Sequence, residues 1–371
     1  MAERIDTYMP VFGQERPMRI LSSSRERNRL AHAYLFYGPA GIGKDAVAMG
    51  LARGLNCEQK EPWGCGSCGS CRKINNLEHP AFRLVLPIPS RPKGIKEEKY
   101  REILWDRTIQ RIRNPYKRVN YTPEISSIPG IGIDQIRDLK KEVILKIPAG
   151  TTRVFLISQA ERMNLPAANS LLKLLEEPPA RTILILTSAN ADGLLPTIQS
   201  RCQVLRFDPL PDSVVESVLQ SFLKVPAAQS RLYARMGGGS LGDALNIMDE
   251  HFEEQDAAAM TFLFQSVSGD AGERMAAADF LLNGFEKMDV YHILQALEIW
   301  LRDIVFLRQG RIESIIHQDH IQAITSFNEK ALSFHVERAV ELTARAIDLI
   351  DKNVYLSLII FDLNENLFTC L

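Results

Sequence analysis

The sequence predicts an α/β domain with a mostly parallel sheet, followed by a region built only from helices. Three observations support this division. Short apolar runs alternate with helical patterns through the first 208 residues, the turn-rich segment DPLPD (208–212) ends that alternation, and almost no convincing strand pattern follows. Alternating strands and helices are typical of a parallel sheet with helices on both faces.

Five apolar runs carry the strand prediction. They are short, rich in β-branched or aromatic residues, and bounded by turn signals, as buried strands are. The runs are YLFY (34–37), FRLVL (82–86), VFLIS (154–158), ILILT (183–187) and VLRF (204–207). Helical patterns lie between them at 44–55, 133–146 and 166–177. We expect about three further helices over 213–250 and only helices from there to Leu371.

Composition limits the classes of protein to which the chain can belong. Its 371 residues are 46% hydrophobic and 24% charged, which is ordinary for a globular protein with two or three domains. The formal net charge of -1 argues against a protein that is basic all over, so any contact with nucleic acid must be local. No apolar stretch has membrane-spanning length, and the first residues are too polar for a signal peptide. We therefore expect a cytoplasmic protein with no membrane contact.

The segment GPAGIGKD (38–45) closely matches a phosphate-binding loop, whose pattern is glycine, four residues, glycine, lysine and then serine or threonine. It follows a predicted strand and opens a predicted helix, as such loops do. Gly38, Gly41, Gly43 and Lys44 would surround the phosphates. Asp45 stands where a hydroxyl would hold magnesium, and its carboxylate repels phosphates unless a cation lies between them. Nucleotide binding is therefore doubtful, and the loop is alternatively a turn that binds nothing.

The end of the third predicted strand lacks catalytic groups that an ATPase of this architecture needs. Such a strand ends in an Asp for the metal and a Glu that activates water, whereas this one ends in Ser158 and Gln159. Glu161 lies too far along the chain to replace either residue directly. The sequence favours a buried strand without a catalytic role.

Four of the six cysteines fall between residues 57 and 71. They form the pattern C-x7-C-x2-C-x2-C with Cys57, Cys65, Cys68 and Cys71. Four thiolates satisfy tetrahedral zinc, and the two-residue spacings let neighbouring sulfurs converge on one ion. We expect a structural zinc site, with four reduced cysteines that bind nothing as the alternative. Cys202 and Cys370 lie apart from this group and are expected to be buried small apolar residues.

A basic segment interrupts the α/β pattern. Residues 90–120 hold ten Lys or Arg against four Asp or Glu, with Tyr100, Trp105 and Tyr116 interleaved. Positive charge and flat side chains suit a contact with DNA or with an acidic partner. The favoured interpretation is a solvated helix over EEKYREILWDRTIQRIR (97–113) that one apolar face anchors on the main domain.

The triplet Ser200-Arg201-Cys202 precedes the fifth predicted strand. Three residues have little specificity, and Arg201 is alternatively a surface arginine that pairs with a carboxylate. Its position at the edge of the sheet would let it reach a neighbouring subunit.

Together these features resemble the bacterial clamp-loader subunits of the AAA+ class. The matching stretches are LAHAYLFYGPAGIGK (30–44), the cysteine cluster, ANSLLKLLEEPP (168–179), LILTSA (184–189) and PTIQSRCQVLRF (196–207). The resemblance implies an AAA+ α/β domain over 1–208, a helical lid domain over 209–253 and a helical collar or oligomerisation domain over 254–371. The two helical domains resemble the family in layout only.

The resemblance is closer to the delta-prime-type subunits, which are catalytically degenerate, than to the gamma/tau-type motor subunits. Four positions depart from the motor pattern. They are Asp45 in the loop, Ser158 and Gln159 after the third strand, and Gly242, where the motor has a phosphate-sensing arginine. Phosphoryl transfer depends mostly on positioning and charge stabilisation, so these losses predict a chain without ATPase activity of its own.

The resemblance implies a structural role in the DNA polymerase III holoenzyme, an assembly with DNA-directed DNA polymerase (nucleotidyltransferase) activity. The chain would join gamma/tau and delta subunits in a hetero-pentamer that opens the sliding clamp and closes it on primer-template DNA. Arg201 would act in trans as an arginine finger in the ATP site of the adjacent motor subunit, with Ser200 and Cys202 positioning its loop.

Three other functions stay open from the residues alone. A gamma/tau-type ATPase motor is the main alternative. A kinase or another phosphotransferase would keep Lys44 but needs metal-binding groups that the sequence lacks. A free-standing DNA-binding zinc protein would bind DNA tightly by itself, which the near-neutral net charge disfavours.

Overall fold

The computed structural model of the protein describes residues 9–117, 129–190, 193–249, 252–351 and 354–371. It divides into two compact units, Met1–Asn246 and Ile247–Leu371. The first unit contains a parallel sheet and the second is built from helices. Among the described residues, no helix is both long enough and apolar enough to cross a membrane.

The sheet of the first unit has five parallel strands in the order β2-β3-β4-β1-β5. The strands are β1 (Ala33–Tyr37), β2 (Phe82–Val85), β3 (Arg153–Ile157), β4 (Thr182–Ser188) and β5 (Gln203–Arg206). Each lies within one residue of its predicted bounds. In the middle of the sheet, Leu35 pairs with Leu186 on one side and with Val204 on the other. Strands β2 and β5 form the two edges.

Ten α-helices accompany these strands within the described residues up to Asp249. They are α1 (Glu15–Glu26), α2 (Lys44–Asn56), α3 (Gly69–Asn75), α4 (Glu97–Arg113), α5 (Ile133–Val143), α6 (Leu165–Glu176), α7 (Pro196–Gln199), α8 (Asp212–Ser221), α9 (Ala227–Met236) and α10 (Leu241–Asp249). The three predicted between-strand helices are α2, α5 and α6, and the three expected over 213–250 are α8 to α10. Helix α5 ends three residues before its predicted limit, ahead of Pro148, because a proline disfavours helical backbone before it.

Apolar side chains cover both faces of the sheet. Successive strand residues point to opposite faces, so each strand contributes to two layers. On one face, Tyr34 and Phe36 belong to a cluster that includes Val47 of α2. On the other face, Leu35 belongs to a cluster that includes Leu171 of α6. This arrangement confirms the predicted parallel sheet with helices on both sides.

The second unit has six α-helices within its described residues. They are α11 (Phe252–Ser266), α12 (Ala271–Gly284), α13 (Lys287–Arg308), α14 (Ile321–Lys330), α15 (Val336–Asp351) and α16 (Leu356–Phe368). Helix α13 packs against both α11 and α15. From residue 213 onward the described part of the chain has no strand, as predicted.

A charged cluster lies inside the second unit. The imidazole of His317 lies between two carboxylates, with Nδ1 2.7 Å from Asp303 Oδ2 and Nε2 3.1 Å from Asp256 Oδ1. Trp300 stacks on the imidazole, with 4.1 Å between ring centroids, and donates its indole N–H to Asp256. Burial alone would lower the pKa of His317, but the two carboxylates outweigh burial and raise the pKa to about 9. The imidazole is therefore protonated at neutral pH.

Candidate functional site

The predicted phosphate loop connects the end of β1 to the start of α2. Its glycines Gly38, Gly41 and Gly43 have positive φ angles of 149°, 72° and 102°. Gly43 caps α2 in the left-handed region, and a Cβ there would lie 2.9 Å from the ring of Tyr116. The strand–loop–helix setting is therefore present, but an aromatic ring from the basic segment closes against the loop.

Lys44 is directed at its own loop. Its side chain is buried, and Nζ donates hydrogen bonds to the carbonyl oxygens of Gly38 at 2.6 Å and Pro39 at 2.5 Å. In a working loop this ammonium reaches phosphate oxygens instead. The backbone of the loop therefore accepts hydrogen bonds that a nucleotide would otherwise accept.

Asp45 is the centre of a buried network. Its carboxylate accepts hydrogen bonds from the hydroxyls of Ser158 at 2.5 Å and Thr187 at 2.6 Å. It also forms an ion pair with Arg111, and the two side chains are only 4% and 10% exposed. Burial would raise the pKa of Asp45, but the guanidinium and the two hydroxyls outweigh burial and hold the pKa below its ordinary value. The carboxylate is therefore ionised, and its counter-ion is a residue of the same chain.

The residues after β3 contact this network and the cavity beside it. Ser158 is fully buried and donates to Asp45, whereas the backbone N–H of Gln159 lies 3.4 Å from the Thr187 hydroxyl. Glu161, which the sequence analysis placed too far along the chain to replace Ser158 or Gln159 directly, lines the same cavity as Lys44. Its Oε1 accepts a hydrogen bond from the amide of Ala189 at 3.1 Å. The tight turn after β3 brings Glu161 back to the cavity.

Two residues of the basic segment, Arg111 and Tyr116, pack against the phosphate loop. The predicted helix over 97–113 is α4, and its last turn brings Arg111 to Asp45. Beyond it, the buried hydroxyl of Tyr116 donates to the carbonyl of Pro10 at 3.0 Å and accepts from the amide of Phe12 at 2.8 Å. These contacts were not predicted, because the sequence spacing does not show which element an insertion packs against. Residues 118–120 of the segment lie outside the described residues.

The interpretation of the basic segment as a base-stacking surface loses two of its three aromatic residues. Tyr116 is buried at the loop, and the hydroxyl of Tyr100 donates to the carbonyl of Pro89. Only Trp105 of these three has an exposed ring. Stacking on bases requires exposed flat side chains, so the contacts favour the alternative of a helix anchored on the main domain.

The cavity that these residues enclose is small. It has a volume of about 130 Å³ and is lined by residues that include Lys44, Asp45, Arg111 and Tyr116. Pockets for drug-sized ligands measure roughly 300–1,000 Å³. The described cavity is smaller than such pockets.

Gly242 lies against the same loop. Its backbone N–H donates to the carbonyl of Gly41 at 3.0 Å. A Cβ at position 242 would lie 2.7 Å from the Cα of Gly41 and would also overlap the carbonyl oxygen of Tyr116. Position 242 therefore has no room for any side chain in this arrangement.

The four clustered cysteines converge as predicted. The Sγ atoms of Cys57, Cys65, Cys68 and Cys71 all lie within 4.8 Å of one another, and those of Cys65 and Cys71 are 4.0 Å apart. A tetrahedral zinc ion with Zn–S bonds of roughly 2.3 Å separates its sulfur ligands by roughly 3.8 Å. The amides of Cys68 and Cys71 donate to the sulfurs of Cys65 and Cys68 at 3.3 Å and 3.4 Å. The cluster is suited to hold one metal ion.

The thiols differ in their surroundings. The Ser67 hydroxyl and the Cys68 amide lower the pKa of Cys65 to about 6, and burial raises the pKa of Cys71 to about 12. Cys202 packs at the edge of an apolar cluster, and burial raises its pKa to about 12. Cys370 is fully buried. Cys370 is therefore buried as predicted, whereas Cys202 is only partly buried.

Arg201 lies between α7 and the edge strand β5. Its side chain is 35% exposed and pairs with Glu176, which is 49% exposed, at 2.7 Å between Nη2 and Oε1. A second guanidinium nitrogen donates to the carbonyl of Thr197 at 3.0 Å. The predicted location at the sheet edge is present, and the carboxylate partner of the alternative interpretation is present as well.

Comparisons with known proteins agree with the resemblance. A family model described as DNA polymerase III, delta subunit, matches residues 13–211. The chain is 28% identical to DNA polymerase III subunit delta' of Bacillus subtilis over 313 residues, which cover 84% of this chain and 83% of that protein. It is 34% identical to the subunit of the same name from Pseudomonas aeruginosa over 62% of this chain and 60% of that protein.

A gamma/tau subunit is among the relatives too. DNA polymerase III subunit gamma/tau of Mycobacterium tuberculosis is 30% identical over 250 residues, which cover 66% of this chain but only 37% of that protein. The match to the delta' protein of Bacillus subtilis covers most of both chains, and the family model covers more than half of this one. The chain therefore belongs to the delta-prime-type family of DNA polymerase III clamp-loader subunits.

Proposed function

We propose that this chain is a non-hydrolysing clamp-loader subunit that supplies Arg201 to the ATP site of a neighbouring gamma/tau subunit. The observation that carries the first half of this proposal is the buried ion pair between Asp45 and Arg111. It occupies the position where an ATPase needs a hydroxyl and a magnesium ion. The chain would therefore act on ATP only through another subunit.

Several features support the loss of hydrolysis. Ser158 and Gln159 offer neither a metal-binding carboxylate nor a general base at the end of β3. Lys44 bonds to loop carbonyls, and the cavity of about 130 Å³ is smaller than a ligand pocket. Because phosphoryl transfer depends on placing a metal, water and cations around the phosphates, the missing groups remove the means of catalysis together.

The role of Arg201 is supported by its place and its exposure. It lies beside an edge strand, and its ion pair with Glu176 is half-exposed, so the pair costs little to break. A guanidinium that leaves such a pair can stabilise the charge that develops on a transferring phosphoryl group.

The proposed partners are gamma/tau and delta subunits in a hetero-pentamer, with the sliding clamp and primer-template DNA reached through the complex. The second unit exposes apolar side chains at the start of α16, namely Tyr355, Leu358 and Phe361. Their three-residue spacing places them on one side of the helix, and an exposed apolar face suits packing against another helical surface. This surface supports an assembly role for the second unit.

We propose zinc as the ion of the cysteine cluster. Four sulfur ligands within 4.8 Å of one another would leave a bound zinc no open coordination position, so the ion would be structural. Elemental analysis of protein purified without chelator should give one zinc per chain, and Cys65→Ser should lose it. Cys202→Ser is the matched control and should keep the metal. Less than about half an equivalent in the parent protein would contradict the proposal.

The test of the main proposal is ATP hydrolysis by reconstituted loader with Arg201→Ala. The variant should assemble but lose turnover at one motor site by about a thousandfold, the size of other arginine-finger effects. Arg206→Ala is the matched control, because Arg206 is an exposed arginine on the adjoining edge strand. Normal turnover and clamp loading with Arg201→Ala would leave Arg201 as a surface residue.

The gamma/tau-type alternative is tested on the isolated chain. The proposal expects no steady-state phosphate release above that of a Lys44→Ala variant. Release well above this control would establish a motor activity and overturn the non-hydrolysing role.

A further inference from the structure

We propose that the end of the basic segment is an internal lock that replaces bound nucleotide as the link between the phosphate loop and helices α8 to α10. The lock consists of Asp45, Arg111, Tyr116 and Gly242. It gives the basic segment a function inside the first unit. The inference goes beyond the proposed function and does not depend on the role of Arg201.

The first part of the lock is electrostatic. In a nucleotide site, cations of the protein face the phosphates, whereas here Arg111 faces the carboxylate of Asp45. Both side chains are removed from water, and Ser158 and Thr187 donate to the remaining lone pairs of the carboxylate. Removal of one partner from such a buried pair strongly destabilises the fold, because the other charge stays buried without a counter-charge. The pair therefore fixes the last turn of α4 to the first turn of α2.

The second part is the ring of Tyr116, which joins three segments. The ring lies against Gly43 of the loop, and its hydroxyl bonds to Pro10 and Phe12 of the N-terminal segment. Phe12 in turn makes an edge contact with Phe222 at the end of α8, with 5.5 Å between ring centroids. One buried aromatic residue therefore connects the loop, through Phe12, to the helices after the sheet.

The third part is the backbone contact at Gly242. The start of α10 bonds directly to the loop through the Gly242 amide and the Gly41 carbonyl, and the carbonyl of Tyr116 covers the same glycine. A phosphate-sensing arginine at this position would contact the loop only through a nucleotide. Here the loop and α10 touch without a ligand, because neither Gly41 nor Gly242 carries a side chain.

A link between the loop and helices α8 to α10 that consists of the chain's own residues should respond to ATP differently from a link through bound nucleotide. Nucleotide exchange can change how helices are held against a loop, but residues of the same chain cannot dissociate. The lock should therefore hold α8 to α10 in one arrangement whatever the concentration of ATP. A ligand that does not bind the native state does not stabilise it.

Hydrogen exchange of the full chain tests this inference. The reporters are the amide of Gly242, bonded to Gly41, and the amide of Val47, bonded to Gly43. Arg111→Gln and Tyr116→Ala should each speed exchange at both amides by at least about tenfold. Arg101→Gln is the matched control, because it breaks an exposed ion pair on the same helix and should change neither amide.

Two further measurements separate the lock from general unfolding and from the proposed function. Exchange in α13 of the second unit should stay at parent level in every variant, and Tyr116→Phe, which keeps the ring and loses the hydroxyl, should have an intermediate effect. Magnesium-ATP at millimolar concentration should leave the exchange of the parent unchanged. Protection of Gly242 by ATP, or parent-like exchange in both Arg111→Gln and Tyr116→Ala, would overturn the lock. Normal turnover and clamp loading by loader with Arg201→Ala would contradict the proposed function and leave the lock standing.

Discussion

The phosphate loop and the Arg201 edge of the same sheet are built in opposite ways. At the loop, the ion pair of Asp45 and Arg111 is buried, and hydroxyl groups of two strand ends support it. At the edge, the ion pair of Arg201 and Glu176 is half-exposed. The first pair is almost completely removed from water, and the second is partly open to solvent.

This difference indicates which roles the chain can have. A buried pair is expensive to break, because separation leaves an uncompensated charge away from water. An exposed pair is worth at most about 1 kcal/mol, so a partner with a stronger negative charge can capture the arginine. The difference supports the proposal that Arg201 acts on a neighbouring subunit and that the loop of this chain does not hydrolyse ATP.

The largest expected effect comes from breaking the buried pair. Asp45→Ala should lower the free energy of unfolding of the first unit by about 3–5 kcal/mol, because Arg111 then stays buried without its carboxylate. Asp208→Ala removes the exposed pair of Arg206 and Asp208, whose side chains are 66% and 53% exposed, and should cost at most about 1 kcal/mol. Urea dependence of hydrogen exchange in first-unit peptides measures both. Equal losses would remove the contrast between buried and exposed pairs.

Acid should weaken the buried pair in a defined direction. The pKa of Asp45 is held below its ordinary value of 3.8, so its contribution to stability is complete above that value and is lost as pH falls through the folded pKa. The difference in unfolding free energy between the parent and Asp45→Asn should therefore be full at neutral pH and shrink in strong acid. Arg111→Gln should show the same convergence, because it breaks the same pair. A difference that does not change with pH would contradict the assigned ion pair.

The second unit should respond in the opposite direction. His317 has a pKa raised to about 9 from 6.5, so its contribution is complete below the ordinary value and is lost as pH rises through 9. The stability difference between the parent and His317→Gln, followed in second-unit peptides, should shrink in alkaline solution. Convergence in acid instead would show that the imidazole is not held as a cation by Asp256 and Asp303.

The sheet and its helices were predictable because local patterns determine them. Each strand appeared as a short run of apolar residues, and helix α4 was identified from its amphipathic spacing with its observed limits. The pairing of Asp45 with Arg111 was not predictable in this way, because 66 positions separate the two residues. Periodicity shows which face of a helix is apolar, but it does not show the element against which that helix packs.

The positive charge of the basic segment had two interpretations, because the sequence does not show which groups those charges face. Its excess of Lys and Arg suggested a surface that binds phosphate groups, yet Arg111 forms an ion pair with a carboxylate of its own chain. Asp45, read alone, was a repulsive residue in a phosphate loop, and Gly242 was a missing arginine. Their contacts with the basic segment account for both residues, because Arg111 pairs with Asp45 and the carbonyl of Tyr116 lies where a side chain at position 242 would be.

The smallest expected effect concerns the exposed pair. Glu176→Gln frees Arg201 from its carboxylate at 2.7 Å and should change the ATP turnover of reconstituted loader by less than about fivefold, since exposed pairs contribute at most about 1 kcal/mol. We expect turnover to increase, because Arg201 would no longer have to leave the Glu176 carboxylate before it contacts the phosphates of ATP. Glu177→Gln is the matched control, since it removes the same charge from the next residue. A loss as large as that expected for Arg201→Ala would mean that Glu176 positions the arginine for catalysis, and the edge would then resemble the loop in depending on a fixed ion pair.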